Sequence, residues 1–469
     1  MFKAMFRTKP IAQIMSDCDK GEHRLKRTLT VWDLTMLGIG AIIGTGIFVL
    51  IGTAVVGDSQ RPGAGPGIVL SFVLSGITCT LAALCYAELA AMIPAAGSAY
   101  TYSYATLGEF LAWITGWNLI LEYGVACVAV AIGWSGYFNN ILKSLGIHLP
   151  DWATHAPGSM EGAVANFPAA IIVLLVTIIL FIGIKESARA TGVIVCVKLA
   201  VVIFFIAVGA GSVSSANWTP FMPNGFAGVG AAAAIVFFAY IGFDAVSTTA
   251  EEAKNPQRDL PIGIIASLAI CTVLYILVAV VLTGIIPFKE IDINAPVAEA
   301  LRAAGFQWGS ALVATGAVAG ITSVLVVLML GQIRVFFAMS RDQLLGPSLS
   351  RVHPRFGTPH YATLITGVGV ATLAALIPIG EAADMTNIGT LFAFVLVCAG
   401  IIVLRRTQPS HPRPFKTPFM PWVPLLGMAC CLGLMAYLPL MTWIRFVVWS
   451  VIGVAIYFGY SVKHSRLNA

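Results

Sequence analysis

Long apolar runs recur along the whole chain, separated by short polar stretches. They fall near residues 34–57, 66–92, 109–140, 167–184, 192–212, 226–249, 261–285, 309–338, 361–379, 386–404, 421–440 and 443–462. A helix needs about 20 apolar residues to cross a hydrocarbon core roughly 30 Å thick. The pattern therefore predicts an all-α integral membrane protein with twelve transmembrane helices. The longest polar segments, 141–166, 286–308 and 339–360, are too short to form soluble domains. Whatever the chain does is predicted to be done by the helical bundle.

Composition agrees with this pattern. Charged residues make up 10% of the chain and apolar ones 58%, with a mean hydropathy of +0.90. A soluble fold cannot bury so much apolar surface, whereas a bilayer is itself an apolar solvent. The net charge of +6 is spread over the loops rather than gathered on one face, so nucleic acid is not an expected partner. Residues 1–33 are polar and basic and do not read as a cleavable signal. With the N-terminus inside, inner segments hold 20 Lys and Arg and outer segments 5. The positive-inside rule then predicts a multi-pass protein of the cell (inner or plasma) membrane with both termini cytoplasmic.

Two runs carry the marks of interrupted helices. The first reads Gly38-Ile39-Gly40-Ala41-Ile42-Ile43-Gly44-Thr45-Gly46-Ile47-Phe48, with four glycines within nine residues. Such glycines serve either close helix packing or an unwound stretch, which is tolerated at membrane depth only where it lines a cavity or is buried in protein. Freed amides at the head of a second half-helix would face an anionic group. The sixth run contains Phe237-Phe238-Ala239-Tyr240-Ile241-Gly242-Phe243-Asp244, a glycine and an acid in apolar surroundings. Interrupted helices at corresponding places in two halves point to a transporter site. They predict two five-helix repeats of opposite topology, 34–212 and 226–404, followed by two extra helices over 421–462 and a short tail, 463–469.

Three ionisable residues lie deep in these runs: Glu122, Lys198 and Asp244. An intramembrane charge costs on the order of 2.5–3.5 kcal/mol and is a functional candidate by default. Lys198 reads either as a lysine snorkelling to the inner interface or as one facing the bundle that loads and releases a proton. Glu122 reads either as a protonated carboxyl bonded to a neighbouring helix or as a coupling group. Asp244 is expected to cap a half-helix or to bond the first span's backbone. Glu88, Glu109 and Arg334 near the inner edge suit interfacial anchoring or gate ion pairs. The nine cysteines include no CxxC and read as small apolar packing residues, and the seven histidines fall in loops or tails. No metal and no cofactor are expected. No selectivity-filter segment for a channel and no nucleophile–base set for an enzyme is apparent.

These motifs together resemble the amino acid–polyamine–organocation superfamily. The resemblance is carried by Gly38-x-Gly40-x-x-Gly44-x-Gly46-Ile47-Phe48, Tyr86-Ala87-Glu88, Pro94-x-x-Gly97-x-x-Tyr100, Phe238-x-x-x-Gly242-Phe243-Asp244, Glu251-Glu252-Ala253-Lys254-Asn255-Pro256 and Phe337-Ala338-Met339-Ser340-Arg341-Asp342. Leu121-Glu122-Tyr123-Gly124 and Gly183-Ile184-Lys185-Glu186-Ser187-Ala188-Arg189 are similar to the bacterial branch related to cationic amino acid transporters.

The resemblance implies the leucine-transporter-like fold of five plus five helices with two more. It implies a permease that imports L-amino acids by proton symport and alternating access, with amino acid exchange or sodium coupling as the alternatives. Backbone over Ile43, Gly44, Thr45 and Gly46 would take the substrate carboxylate. Carbonyls of Phe238, Ala239 and Ile241 would take its amino group, with the Phe238 ring as a lid. Lys198, with Glu122, would couple transport to protons; Lys198 matches a lysine that stands where sodium-coupled relatives hold an ion. Asp244 and Glu88 would be gating or structural residues. Leu328 would face the substrate side chain and suits neutral amino acids, ahead of arginine or lysine. Expected partners are the amino acid, protons and membrane lipid, with a monomer as the working unit and room for a small accessory membrane protein.

Overall fold

The computed structural model describes residues 5–19, 27–95, 97–183 and 188–468. Residues 184–187 of the Gly183–Arg189 motif, and several basic residues ahead of Asp33, lie outside the described residues. Among the described residues the chain is helical, and its only extended pairings are two isolated bridges.

The apolar helices follow in chain order: α1a (Val31–Ile42) and α1b (Ile51–Val56), α2 (Ile68–Met92), α3 (Glu109–Ser144), α4 (Phe167–Ile182), α5 (Ala188–Gly209), α6a (Gly225–Val236) and α6b (Ala245–Thr248). They continue with α7 (Pro256–Ile285), α8 (Gln307–Arg341), α9 (His360–Leu376), α10 (Ile379–Thr407), α11 (Trp422–Ala436) and α12 (Leu440–Ile456). Eight of these helical stretches are long and apolar enough to cross a membrane, and α1a with α1b qualifies as a ninth, bent by 40°. Helices α4, α9 and α11 are apolar but shorter.

The helices form where the apolar runs predict them. A helix satisfies its own backbone polar groups, as apolar solvent demands. Local signals set the ends. Thr30 and Asp33 make a reciprocal capping box at the head of α1a. Pro256 occupies the first turn of α7, and Gly183 ends α4 in the left-handed conformation. Three helices were not anticipated: Ile11–Asp19, Ser98–Thr106 and Pro296–Ala303. They are short and lack an apolar run, so hydropathy does not reveal them. The ninth run, read as far as 379, ends at Leu376, because Ile377 and Pro378 turn the chain into α10.

Helix α3 is the axis of the bundle and packs against α8 and α10, while α7 packs against α2 and α1a. The outer faces of α4, α5, α9 and α12 leave Ile171, Leu175, Ile203, Ile365 and Val448 exposed, as a lipid-facing surface would. Cys196, read as a packing residue, is exposed on α5, whereas Cys79, Cys85, Cys127, Cys271, Cys398 and Cys431 are buried. Both termini pack at one end of the molecule. Arg7 Nη1 donates to the Leu467 carbonyl at 2.9 Å, and the Arg466 amide donates to the Asp342 carbonyl.

Candidate substrate site

The site is built from the two breaks. The last turn of α1a closes with the Ile43 amide on the Ile39 carbonyl, and the next bond along the chain is the Phe48 amide on the Gly44 carbonyl. Between them Ile43 is extended (φ −74°, ψ 104°), and a wide π turn over Gly46–Leu50 leads into α1b. The amides of Thr45, Gly46 and Ile47 therefore head the second half, where helical N–H groups lack intrahelical partners. Helix α6a tightens into a 3₁₀ turn over Phe237–Tyr240, Ile241 is extended, and Gly242 takes φ +119°. That angle favours glycine.

The two breaks touch. A Cβ on Gly46 would collide with the backbone of Ala239, and one on Gly242 would stand 2.9 Å from the Ala41 carbonyl group. Tyr275 of α7 fastens them together, its hydroxyl 2.9 Å from the carbonyls of both Ile42 and Ala239. Asn387 of α10 donates to the Ala234 carbonyl at 2.7 Å. Thr45, Phe238, Ala239, Ile241 and Leu328 are all buried. The Thr45 side chain lies against α3, where it fills the space left by Gly133. The carbonyls expected to take an amino group are partly engaged: Phe238 accepts from the Ile241 amide at 3.3 Å, and Ala239 accepts from Tyr275.

Lys198 points inward and is completely buried. Its ammonium donates to the Gly40 carbonyl at 2.7 Å and to the Ile43 carbonyl at 3.3 Å. These are carbonyls that the interrupted helix leaves for other donors. The snorkelling alternative does not describe this geometry.

Glu122 and Asp244 form a second buried group. Both Glu122 oxygens are buried, and the Thr390 hydroxyl of α10 is the polar group that faces them. Asp244 makes no side-chain cap onto α6b. It accepts instead from the Tyr123 hydroxyl at 2.8 Å. Asp244 is thereby tied to α3 and not to the first span.

Both ends of the bundle are tied. At the end away from the termini, Arg61 donates to Asp384 at 2.7 Å and to Asp58 at 2.8 Å. Burial disfavours the guanidinium charge, but the two carboxylates more than offset this and raise its proton affinity. At the terminal end, Leu29 bridges Ala253, which joins the lead-in of α1a to the chain after α6b. Glu88 is fully buried, paired with Arg405 at 2.6 Å and with Arg413 at 3.2 Å. Glu109 accepts from Tyr457 at 3.1 Å, and Arg334 stands 3.8 Å from Glu252.

The sequence does not single out Tyr275, Asn387 or Asp384, and it offers Tyr123 only as part of a family motif. A tyrosine in an apolar run reads as packing, and Asn387 and Asp384 lie where a helix edge is expected. Only the fold shows what they touch.

The amino acid permease family profile matches residues 29–465. The chain is 52% identical over 468 residues to the branched-chain amino acid permease BcaP of Bacillus subtilis, covering 99% of each chain. It is 49% identical over 465 residues to the methylthioribose transporter of the same organism, again covering 99% of each. It is 37% identical to the vacuolar cationic amino acid transporter 4 of Arabidopsis thaliana, over 87% of this chain and 68% of that one. With two broken helices meeting at its centre and these relatives along its length, this chain belongs to the amino acid permease family of multi-pass membrane transporters.

Proposed function

We propose that this chain imports neutral amino acids, branched aliphatic ones among them, by proton symport across the cell membrane. The observation that carries the coupling is the buried Lys198 ammonium on the carbonyls of Gly40 and Ile43. A charge-assisted bond is roughly twice as strong as a neutral one, so the protonated lysine fastens α1a to α5 and the neutral one holds it less tightly. The breaks at residues 43–44 in α1 and 241–244 in α6 support twelve crossings arranged as two five-helix repeats, α1–α5 and α6–α10, with α4, α9 and α11 as the shorter crossings. The basic residues support a cytoplasmic location for the terminal end. The apolar Leu328 and the 52% identical relative named for branched-chain amino acids support the substrate class.

In the proposed cycle the substrate carboxylate docks on the amides at the head of α1b and its amino group on the carbonyls of the α6 break. The Arg61–Asp384 end closes, the repeats rock, and Lys198 releases its proton toward the cytoplasm. The α1a contact then loosens and the substrate leaves. The membrane potential adds about 2.3 kcal/mol per charge per 100 mV.

The test is uptake into proteoliposomes under an imposed pH gradient, with competition by each of the twenty amino acids and by methylthioribose. Proton-driven accumulation, competed by leucine, isoleucine and valine, is the expected result. Accumulation on a sodium gradient alone, or only against internal amino acid, overturns the coupling. Competition by methylthioribose alone overturns the substrate class. Lys198→Ala is expected to abolish gradient-driven accumulation while substrate binding persists.

A further inference from the structure

Helix α5 is gripped between two helices at points where each lacks a side chain. On α1a, a Cβ at Gly40 would stand 2.6 Å from Val195 Cγ2. On α8, a Cβ at Gly320 would stand 3.0, 3.2 and 3.4 Å from Cγ, Cε and Cδ of Lys198. One turn earlier on α8, Gly316 opposes Val201 in the same way. The aliphatic stem of Lys198 therefore lies along the bare backbone of α8, while its ammonium ends on α1a at the Gly40 and Ile43 carbonyls. A lysine side chain carries about 2 kcal/mol of rotamer freedom and no fixed geometry of its own, so something outside it must set its direction.

We propose that Gly320 is a positioning residue for Lys198: the absence of a side chain there gives the lysine stem the channel that aims its ammonium at the break in α1. The proposal rests on reading Lys198 as the proton carrier. A methyl group at 320 comes within 3.0–3.4 Å of three stem carbons, closer than ordinary van der Waals contact, so the stem must give by a few tenths of an ångström. The stem turns away from α8, and the 2.7 Å bond to the Gly40 carbonyl lengthens. The titratable group facing Lys198 is the Cys271 thiol of α7. Helix α1a offers carbonyls, and α8 offers the backbone at Gly320. The bare backbone at Gly320 thus borders the stem on the α8 side.

The test is a double-mutant cycle in proteoliposomes with L-leucine as the probe. Gly320→Ala is expected to lower accumulation driven by a pH gradient at least tenfold, while leucine counterflow at equal pH stays within about twofold. In a Lys198→Ala background the same change is expected to cost nothing more, because the stem it presses on is gone. Losses that multiply in the double variant, or Gly320→Ala accumulating leucine like the native chain, overturn the proposal. If Gly320→Ala fails to reach the membrane folded, restored folding in the double variant supports the contact, and continued failure overturns it. Native accumulation by Lys198→Ala itself overturns the reading of the lysine, and the positioning role with it. That result is distinct from a failure confined to Gly320.

Discussion

The hydroxyl of Tyr275 stands 2.9 Å from the carbonyl of Ala239, and it reaches the Ile42 carbonyl at the same distance. One residue on α7 thus ties the two broken helices together. It has a single hydrogen to give, shared between two carbonyls that the helix breaks leave without backbone donors. Removing it leaves buried acceptors unmet, at a cost of about 1–3 kcal/mol. Tyr275→Phe is expected to lower the ratio of maximal uptake rate to KM by roughly tenfold, with fold and expression close to native. The check is initial-rate uptake beside a thermal-unfolding curve. A rate unchanged by the loss of the hydroxyl means that the contact between the breaks is held by packing alone.

Gly46 and Gly124 make opposed predictions. At Gly46 a methyl group meets the backbone of Ala239, and backbone cannot step aside. Gly46→Ala is expected to abolish both uptake and binding, because it forces the breaks apart at the place where substrate is expected to dock. At Gly124, on α3, a methyl group would meet nothing within 4 Å. Gly124→Ala is expected to transport like the native chain, with unfolding temperature unchanged or slightly raised, since alanine favours helix by about 1 kcal/mol over glycine. Equal uptake by the two variants removes the argument that close approach of α1 and α6 is required.

How far the sequence foretold this arrangement depends on the kind of signal. The breaks in α1 and α6 were legible because glycines and an acid are conspicuous in an apolar run. Lys198 was legible for the same reason, since a charge there demands an explanation. The partner of each group was not legible. Asp244 reads as a cap for its own helix, yet it accepts from Tyr123, 121 residues away in the chain. Arg61 reads as one more loop cation, and its carboxylate partner stands 323 residues on. Such pairings are set by how helices stack, which local hydropathy does not encode. Short helices such as Ser98–Thr106 escape for a related reason: their side chains are buried by protein rather than by lipid, so they need no apolar run.

Arg61 and Asp384 close the end of the bundle away from the termini, and both side chains are more than nine-tenths buried. Breaking a buried pair by removing one partner costs about 3–5 kcal/mol when the other charge is left alone; here the cost is smaller, because Asp58 still holds Arg61 at 2.8 Å. Asp384→Asn is expected to destabilise the closed end and to cut uptake more than tenfold, through a slower or less frequent closure. A cysteine placed at the neighbouring exposed residue Gln60 is then expected to react faster with an impermeant maleimide. Exchanging the two charges, Arg61→Asp with Asp384→Arg, is expected to recover part of the loss. The recovery will be incomplete, because Asp58 now faces an aspartate. Equal loss in the single and exchanged variants counts against an ion-pair clasp at this end.

Glu88, at the terminal end of α2, is held by donors from two arginines and one backbone amide. Its oxygens accept from Arg405 at 3.0 and 2.6 Å and from the Thr417 amide at 2.6 Å. The Arg413 Nε lies 3.2 Å away. Residues 408–421, between α10 and α11, are thereby drawn onto α2. Without the negative charge two guanidinium groups face each other across a buried amide. Glu88→Gln is therefore expected to release this segment and not merely weaken it. The segment carries Lys416 ahead of Thr417, a trypsin site (Arg413 precedes Pro414 and resists trypsin), so release is read as cleavage at Lys416. Cleavage of Glu88→Gln between α10 and α11 is expected to run at least tenfold faster than in the native chain. It is expected in inverted membrane vesicles and not in right-side-out ones, if this end is cytoplasmic as the positive-inside rule predicts. Cleavage at the native rate means that the loop is held by contacts other than Glu88. Fast cleavage from the opposite side means that the bundle is inserted the other way up, and the direction of the whole proposed cycle is then reversed.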